Sequence, residues 1–112
     1  MPHTPPPVRP VALRPATSDD APALARLWHA GWHDAHPDHV PEGLTRSRTL
    51  GGFEARAPGM VPVTTVAEVD GELAGFVMVV GDEVEQVYVA AAHRGSGVAA
   101  VLLAEAECQV GA

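Results

Sequence analysis

The densest run of chemically useful residues is Gln86–Ala99, where the apolar stretch Val87-Tyr88-Val89 leads into Arg94-Gly95-Ser96-Gly97-Val98-Ala99. A strand running into a glycine-rich turn that opens an apolar helix makes an anion site, because the helix N-terminus carries unpaired N–H groups and the positive end of the dipole. Gly95 and Gly97 have no Cβ to hold a phosphate away from the backbone. Arg94 can add a charge-assisted contact, and the Ser96 hydroxyl one more donor. The run therefore predicts a diphosphate cradle. Two familiar cradles do not fit it. A P-loop ends in Gly-Lys-Ser/Thr, and the chain contains no Lys. A dinucleotide fingerprint needs three spaced glycines early in a parallel βαβ unit, whereas this turn follows an apparent antiparallel meander.

A second group lies upstream: His29, His33, His36 and His39, with Asp34 and Asp38 among them. Spacings of four and three put His29, His33 and His36 on one side of a helix, a pattern that suits zinc. No zinc signature accompanies it, so the lining of an acceptor groove, or plain surface, is expected and no metal site is assigned. Trp28 and Trp32, also four apart, are expected to anchor that helix to a sheet. Cys108 is the single cysteine, which excludes an intramolecular disulfide and reads as a half-buried thiol.

The elements that must position these residues follow from composition and periodicity. A length of 112 residues suits one domain with one core, and 46% hydrophobic with only 4% aromatic residues makes that core mainly Val, Leu and Ala. The net charge of −7 argues against nucleic acid, whose binding needs clustered cations. No apolar run is long enough to cross a membrane, and the N-terminus lacks the apolar region of a secretory signal, so a soluble cytoplasmic protein is expected. Arg carries all the positive charge, and with abundant Ala and no Lys the composition is associated with, and so expected of, a GC-rich bacterial genome.

Residues 1–10 hold five prolines and read as a flexible tail, leaving 11–112 as the domain. Val11 to Arg14 suits a first strand closed by Pro15. Thr17 with Asp20 has capping-box spacing, and Ala23, Leu24, Leu27, Trp28 and Gly31 give a helix an apolar face that ends near His36-Pro37. Gly43, Gly51-Gly52 and Pro58-Gly59 read as breakers around a short helix within Leu44 to Phe53. From Val61 the β-branched residues begin. Asp70-Gly71 is a two-residue hairpin signal, Leu73 to Val80 an apolar arm buried on both faces, and Gly81-Asp82 another turn. Glu83 to Val89 is the third consecutive strand, in which alternation puts Glu83, Glu85, Val87 and Val89 on one side. The last helix starts near Gly95 to Gly97. The class is α+β, with the order β-α-α-β-β-β-α in a mostly antiparallel sheet flanked by helices.

Arg94-Gly95-Ser96-Gly97-Val98-Ala99 resembles the cofactor-binding motif of the GNAT N-acetyltransferase superfamily, Arg/Gln-x-x-Gly-x-Gly/Ala, at every fixed position. Leu13-Arg14-Pro15-Ala16-Thr17 through Asp20 is similar to that family's opening strand and helix cap, and Glu72 to Phe76 to its entry into the third strand. The resemblance spans about residues 11 to 112. It implies acetyl-CoA as donor cosubstrate and an amine of a small molecule or protein as acceptor. Backbone amides of Gly95, Ser96, Gly97, Val98 and Ala99, with Arg94, would hold the diphosphate, and Val87, Tyr88 and Val89 the pantetheine arm and acetyl carbonyl. Tyr88, pointing away from the Glu83 side by alternation, is expected to pack on a helix. The acceptor amine must be neutral to attack a thioester, so a carboxylate base is useful, and Glu83 and Glu85 are the candidates, Glu83 first. Full members of the family continue with a fifth strand, a helix and a hairpin, so the chain is expected to lack the C-terminal part of the domain. A non-catalytic acyl-CoA-binding module or an inactive fragment is the alternative, and a homodimer is one way to supply the missing strand.

Overall fold

A computed structural model describes residues 10–35 and 49–111. Strand β1 spans Ala12–Pro15, helix α1 Ala21–Ala35, helix α2 Leu50–Met60, strands β2, β3 and β4 Thr64–Val69, Glu72–Val80 and Glu83–Val89, and helix α3 Val98–Gly111. Among the described residues the four strands form one antiparallel sheet in the order β1-β2-β3-β4.

Both hairpins follow from their turn residues. Asp70 and Gly71 each have positive φ (53° and 80°), as a two-residue type I′ turn requires. Gly81, first in its turn, has φ 63°, the position where a type II′ turn wants glycine. Strand β3 is the centre. Phe76 and Met78 enter one buried cluster with α1 and α2, while Ala74, Val77 and Val79 enter the other with α3. Its apolar run is thus consumed on both faces, as expected. Gly75 lies closely packed between β4 and α3, because a Cβ there would lie 2.7 Å from the Tyr88 carbonyl oxygen and 3.0 Å from Leu102 Cδ1.

Helix α1 is anchored by Leu24, Ala25, Trp28 and Trp32, all buried. Trp28 meets Phe53 at 5.0 Å and Phe76 at 6.5 Å between ring centroids, in tilted and edge-on arrangements worth about 0.5–1.5 kcal/mol each beyond area burial. The start of the helix is fixed from β1. Asp20 accepts from the Thr17 N–H at 2.7 Å and receives two guanidinium N–H bonds from Arg14, both at 2.8 Å. Arg14 Nε reaches Glu68 Oε1 at 2.8 Å, tying β1 to β2 as well.

Four expectations are corrected. Strand β1 includes Pro15, tolerated because β1 is a sheet edge among the described residues. Helix α2 runs through Gly51-Gly52 and Pro58-Gly59, which read as breakers. Its Thr49 N-cap accepts from Gly52 N–H at 3.1 Å, and burial of Phe53 and Ala57 outweighs propensity terms of about 1 kcal/mol per glycine. The earlier part of the expected helix, Leu44 to Arg48, lies outside the described residues. Residues Val61–Val63 form a 3-10 turn, so β2 begins only at Thr64. Cys108 is exposed on α3, not half-buried. Among the described residues no helix is long and apolar enough to cross a membrane.

Candidate acetyl-CoA site

The end of β4 is stitched to β3 by the Ala90 N–H, which donates to the Ala74 carbonyl at 2.8 Å. The chain then tightens into a 3-10 turn over Ala91–His93, closed by His93 N–H to Ala90 O at 2.8 Å. Gly95 and Gly97 follow with φ of 80° and 89°, a left-handed backbone that side chains other than glycine rarely adopt. No heavy atom comes within 4 Å of the place a Cβ would occupy at either glycine, so the space above the turn is open. Val101 N–H bonds the Gly97 carbonyl at 3.2 Å, which makes Gly97 the N-cap of α3. The first-turn amides of Val98, Ala99 and Ala100 then have no acceptor within the helix. Arg94 is exposed beside them, its Nε 3.4 Å from the Val89 carbonyl.

Ser96 is placed differently from the expectation that its N–H and hydroxyl face a ligand. Its N–H donates to the His93 carbonyl at 3.4 Å, and its hydroxyl donates to the same oxygen. The amides left for an anion are therefore concentrated at the start of α3, including those of Val98 and Ala99.

The pairing of β4 with β3 changes the face assignments. Val87 lies opposite Val77, Tyr88 opposite Phe76 and Gln86 opposite Met78, but the next matched pair is Val84 with Val79. Glu85 is the extra residue of a bulge, and alternation slips by one there. Val87 and Val89 pack with the α3 cluster, while Glu83, opposite Val80, falls on the α1 side with Tyr88. The expected single face of Glu83, Glu85, Val87 and Val89 does not form. Both carboxylates are exposed. Tyr88 packs on α1 at Gly31 and on Phe76, whose ring is 5.7 Å away. Among the described residues β4 has no strand on its outer side, so its backbone edge lies between Glu83 on one face and Val87 and Val89 on the other.

Antiparallel strands feeding an open glycine turn that caps an apolar helix are the architecture the sequence motif implied. The family profile described as "Acetyltransferase (GNAT) family" matches residues 22–110. The chain belongs to the GNAT acetyltransferase family. Several solved structures share its fold. A GCN5-related N-acetyltransferase from Rhodopseudomonas palustris superposes with a TM-score of 0.70 at 24% identity, over 98% of this chain and 70% of that one. Apo YjaB from Escherichia coli gives 0.68 at 19% identity, over 90% and 67%. The PaiA N-acetyltransferase of Thermoplasma acidophilum, solved with coenzyme A, gives 0.65 at 16% identity, over 91% and 72%. No curated protein matches the chain in sequence.

The remaining candidates lie elsewhere in this GNAT fold. His29 and His33 sit on α1 with ring centroids 4.4 Å apart, and His29 also meets Phe53 edge-on at 5.9 Å. Burial, then the neighbouring His33, pushes the His29 pKa below the ordinary imidazole value. His36, His39 and Asp38 lie outside the described residues. Among the described residues no three His, Cys, Asp or Glu side chains are grouped to hold a metal ion. A groove of about 440 Å³, lined by Asp82, Val84, Leu103, Ala106, Glu107 and Val110, lies toward the C-terminal end of α3 and includes none of the expected binding residues.

Proposed function

We propose that the chain binds acetyl-CoA along the outer edge of β4 and at the N-terminus of α3, and that this site serves transfer of the acetyl group to an amine. The observation that carries the reading is the turn Arg94–Ala99: two left-handed glycines, open space above both, and the first-turn amides of an apolar helix. That geometry fits a diphosphate, since a Cβ at either glycine would reshape the backbone that forms the cradle. The described residues then supply a first strand, the meander and the cofactor-binding helix of a GNAT domain.

Acetyl-CoA, when bound, supplies a thioester carbonyl open to attack by a neutral amine. Val98 and Ala99 N–H groups, with Arg94, hold the diphosphate by charge-assisted bonds. The backbone of Val87, Tyr88 and Val89 lines the pantetheine arm, its strand orientation fixed by Tyr88 packed on Gly31. A carboxylate at Glu83 or Glu85 would take the proton the amine gives up, directly or through one water, as the new C–N bond replaces the C–S bond and CoA leaves as a thiolate that is then protonated. Glu83 lies on the α1 face and Glu85 at the bulge, so an acceptor reaching Glu83 comes from the side of α1.

Calorimetric titration with acetyl-CoA, with CoA and ATP as controls, tests the reading. Binding of acetyl-CoA and CoA but not ATP is expected, and Gly97→Asp should abolish it by adding a carboxylate and a side chain where φ is 89°. Tight binding by that variant would remove the turn from the site. Thiol release that depends on an added amine identifies an enzyme. Cofactor binding without amine-dependent release identifies a binding module instead.

A further inference from the structure

Within 91–97 one side chain is turned inward. His93 is 13% exposed, whereas Ala91, Ala92, Arg94, Gly95, Ser96 and Gly97 are all exposed. Its imidazole Nε2 faces the Glu72 carboxylate at 3.5 Å. Glu72 is the first residue of β3, directly after the Asp70-Gly71 turn, and pairs with Val69. At the other end of the same residue, the His93 carbonyl gathers both the N–H and the hydroxyl of Ser96, the residue between the two left-handed glycines. One residue thus joins the sheet to the middle of the glycine turn. Glycine loses more backbone entropy on ordering than any other residue, so a fixed point inside a turn with two glycines lowers the cost of presenting its amides to a ligand.

We propose that His93 is the positioning residue of the diphosphate turn, its side chain held against Glu72 and its carbonyl holding Ser96, so that Ser96 shapes the turn through the His93 carbonyl without itself contacting the ligand. The inference rests on the reading of Arg94–Ala99 as the diphosphate site and adds the residue that keeps it in shape. At 3.5 Å the Nε2–Glu72 contact is an electrostatic pairing, longer than a normal hydrogen bond. His93→Gln retains a donor on a side chain of similar reach, whereas His93→Ala retains none. Neither substitution changes the His93 carbonyl, so Ser96→Ala tests that half of the tether separately.

The test compares CoA with pantetheine, which lacks the diphosphate, by calorimetry on the full chain and its His93→Ala, His93→Gln, Glu72→Gln and Ser96→Ala variants. His93→Ala is expected to weaken CoA up to about fivefold, the effect of losing one partly exposed electrostatic contact, while pantetheine binding stays unchanged. His93→Gln is expected to restore most of the loss, and Glu72→Gln to add nothing in the His93→Ala background. Hydrogen exchange without ligand gives a second readout, in which amides of 95–98 exchange faster in His93→Ala at unchanged thermal stability. Wild-type affinity for CoA and wild-type exchange in a folded His93→Ala chain would overturn the tether. A wild-type chain that binds no CoA would instead overturn the diphosphate reading, and the role of His93 in binding with it.

Discussion

Gly31→Ala separates two opposed effects whose sizes can be worked from the structure. Gly31 lies inside α1, where replacing glycine by alanine ordinarily gains about 1 kcal/mol of helix stability. Here the added Cβ would sit 2.2 Å from Tyr88 Cδ1 and 2.8 Å from both Cγ and Cε1. Carbon atoms in contact prefer roughly 3.5–4.0 Å, so the ring or the helix has to withdraw by about 1 Å or more. The near atoms include Cγ, the root of the ring, so a small rotation of its far end does not relieve the clash. Withdrawal also disturbs the Tyr88–Phe76 contact at 5.7 Å. Overpacking of this kind costs about 1–3 kcal/mol, and a contact this short belongs in the upper half of that range. The net expectation is destabilisation by about 1–2 kcal/mol, read as a lower urea midpoint at unchanged slope. In a Tyr88→Ala background the obstacle is gone and the same substitution should stabilise by about 0.5–1 kcal/mol. The coupling between the two sites is then about 2 kcal/mol. If Gly31→Ala stabilises the chain that still carries Tyr88, the helix does not rest on that ring, and the orientation assigned to β4 falls with it.

Other expectations follow from the same contacts. Arg14, chiefly through its side-chain hydrogen bonds, holds the Asp20 pKa at about 2, below the ordinary 3.8. A depressed carboxylate stabilises the fold above the unfolded value and loses that contribution as pH falls from 3.8 toward 2. With allowance for solvent around a partly exposed Arg14, Asp20→Asn should cost about 1–2 kcal/mol at pH 7 and almost nothing at pH 2, measured by urea unfolding at both; a difference independent of pH would refute the pairing. Gly75→Val should destabilise by more than about 2 kcal/mol, since its Cβ would meet the Tyr88 carbonyl at 2.7 Å and the added methyl groups enlarge the conflict, and a folded variant of wild-type stability would contradict the docking of α3 on β3. Glu83→Gln should lower amine-dependent thiol release with little change in CoA affinity, whereas an equal effect from Glu85→Gln alone moves the base to the bulge.

Much of the fold was legible in the sequence because it rests on local preferences. The Asp70-Gly71 and Gly81-Asp82 turns, the doubly buried run of β3 and the glycine turn that opens the last helix each follow from residue type and spacing within a few positions. The family followed from the same glycine turn in its strand-to-helix setting. What the sequence could not fix depended on a partner distant along the chain. Alternation assigns faces only while pairing stays in register, and the slip at Glu85 is set by how β4 meets β3, so Glu83 crosses to the α1 face without any local signal. Helix α2 passes through Gly51, Gly52 and Pro58 because Phe53 and Ala57 find a buried place beside α1, a gain invisible to propensity. Likewise a serine in a glycine turn reads as a ligand donor until the fold turns its hydroxyl toward the His93 carbonyl and His93 toward Glu72. The sequence by itself determined which backbone shapes were permitted. Tertiary contact decided which side of β4 each carboxylate faces and which donors of the turn are left for a ligand, because both depend on groups brought together only when the chain folds.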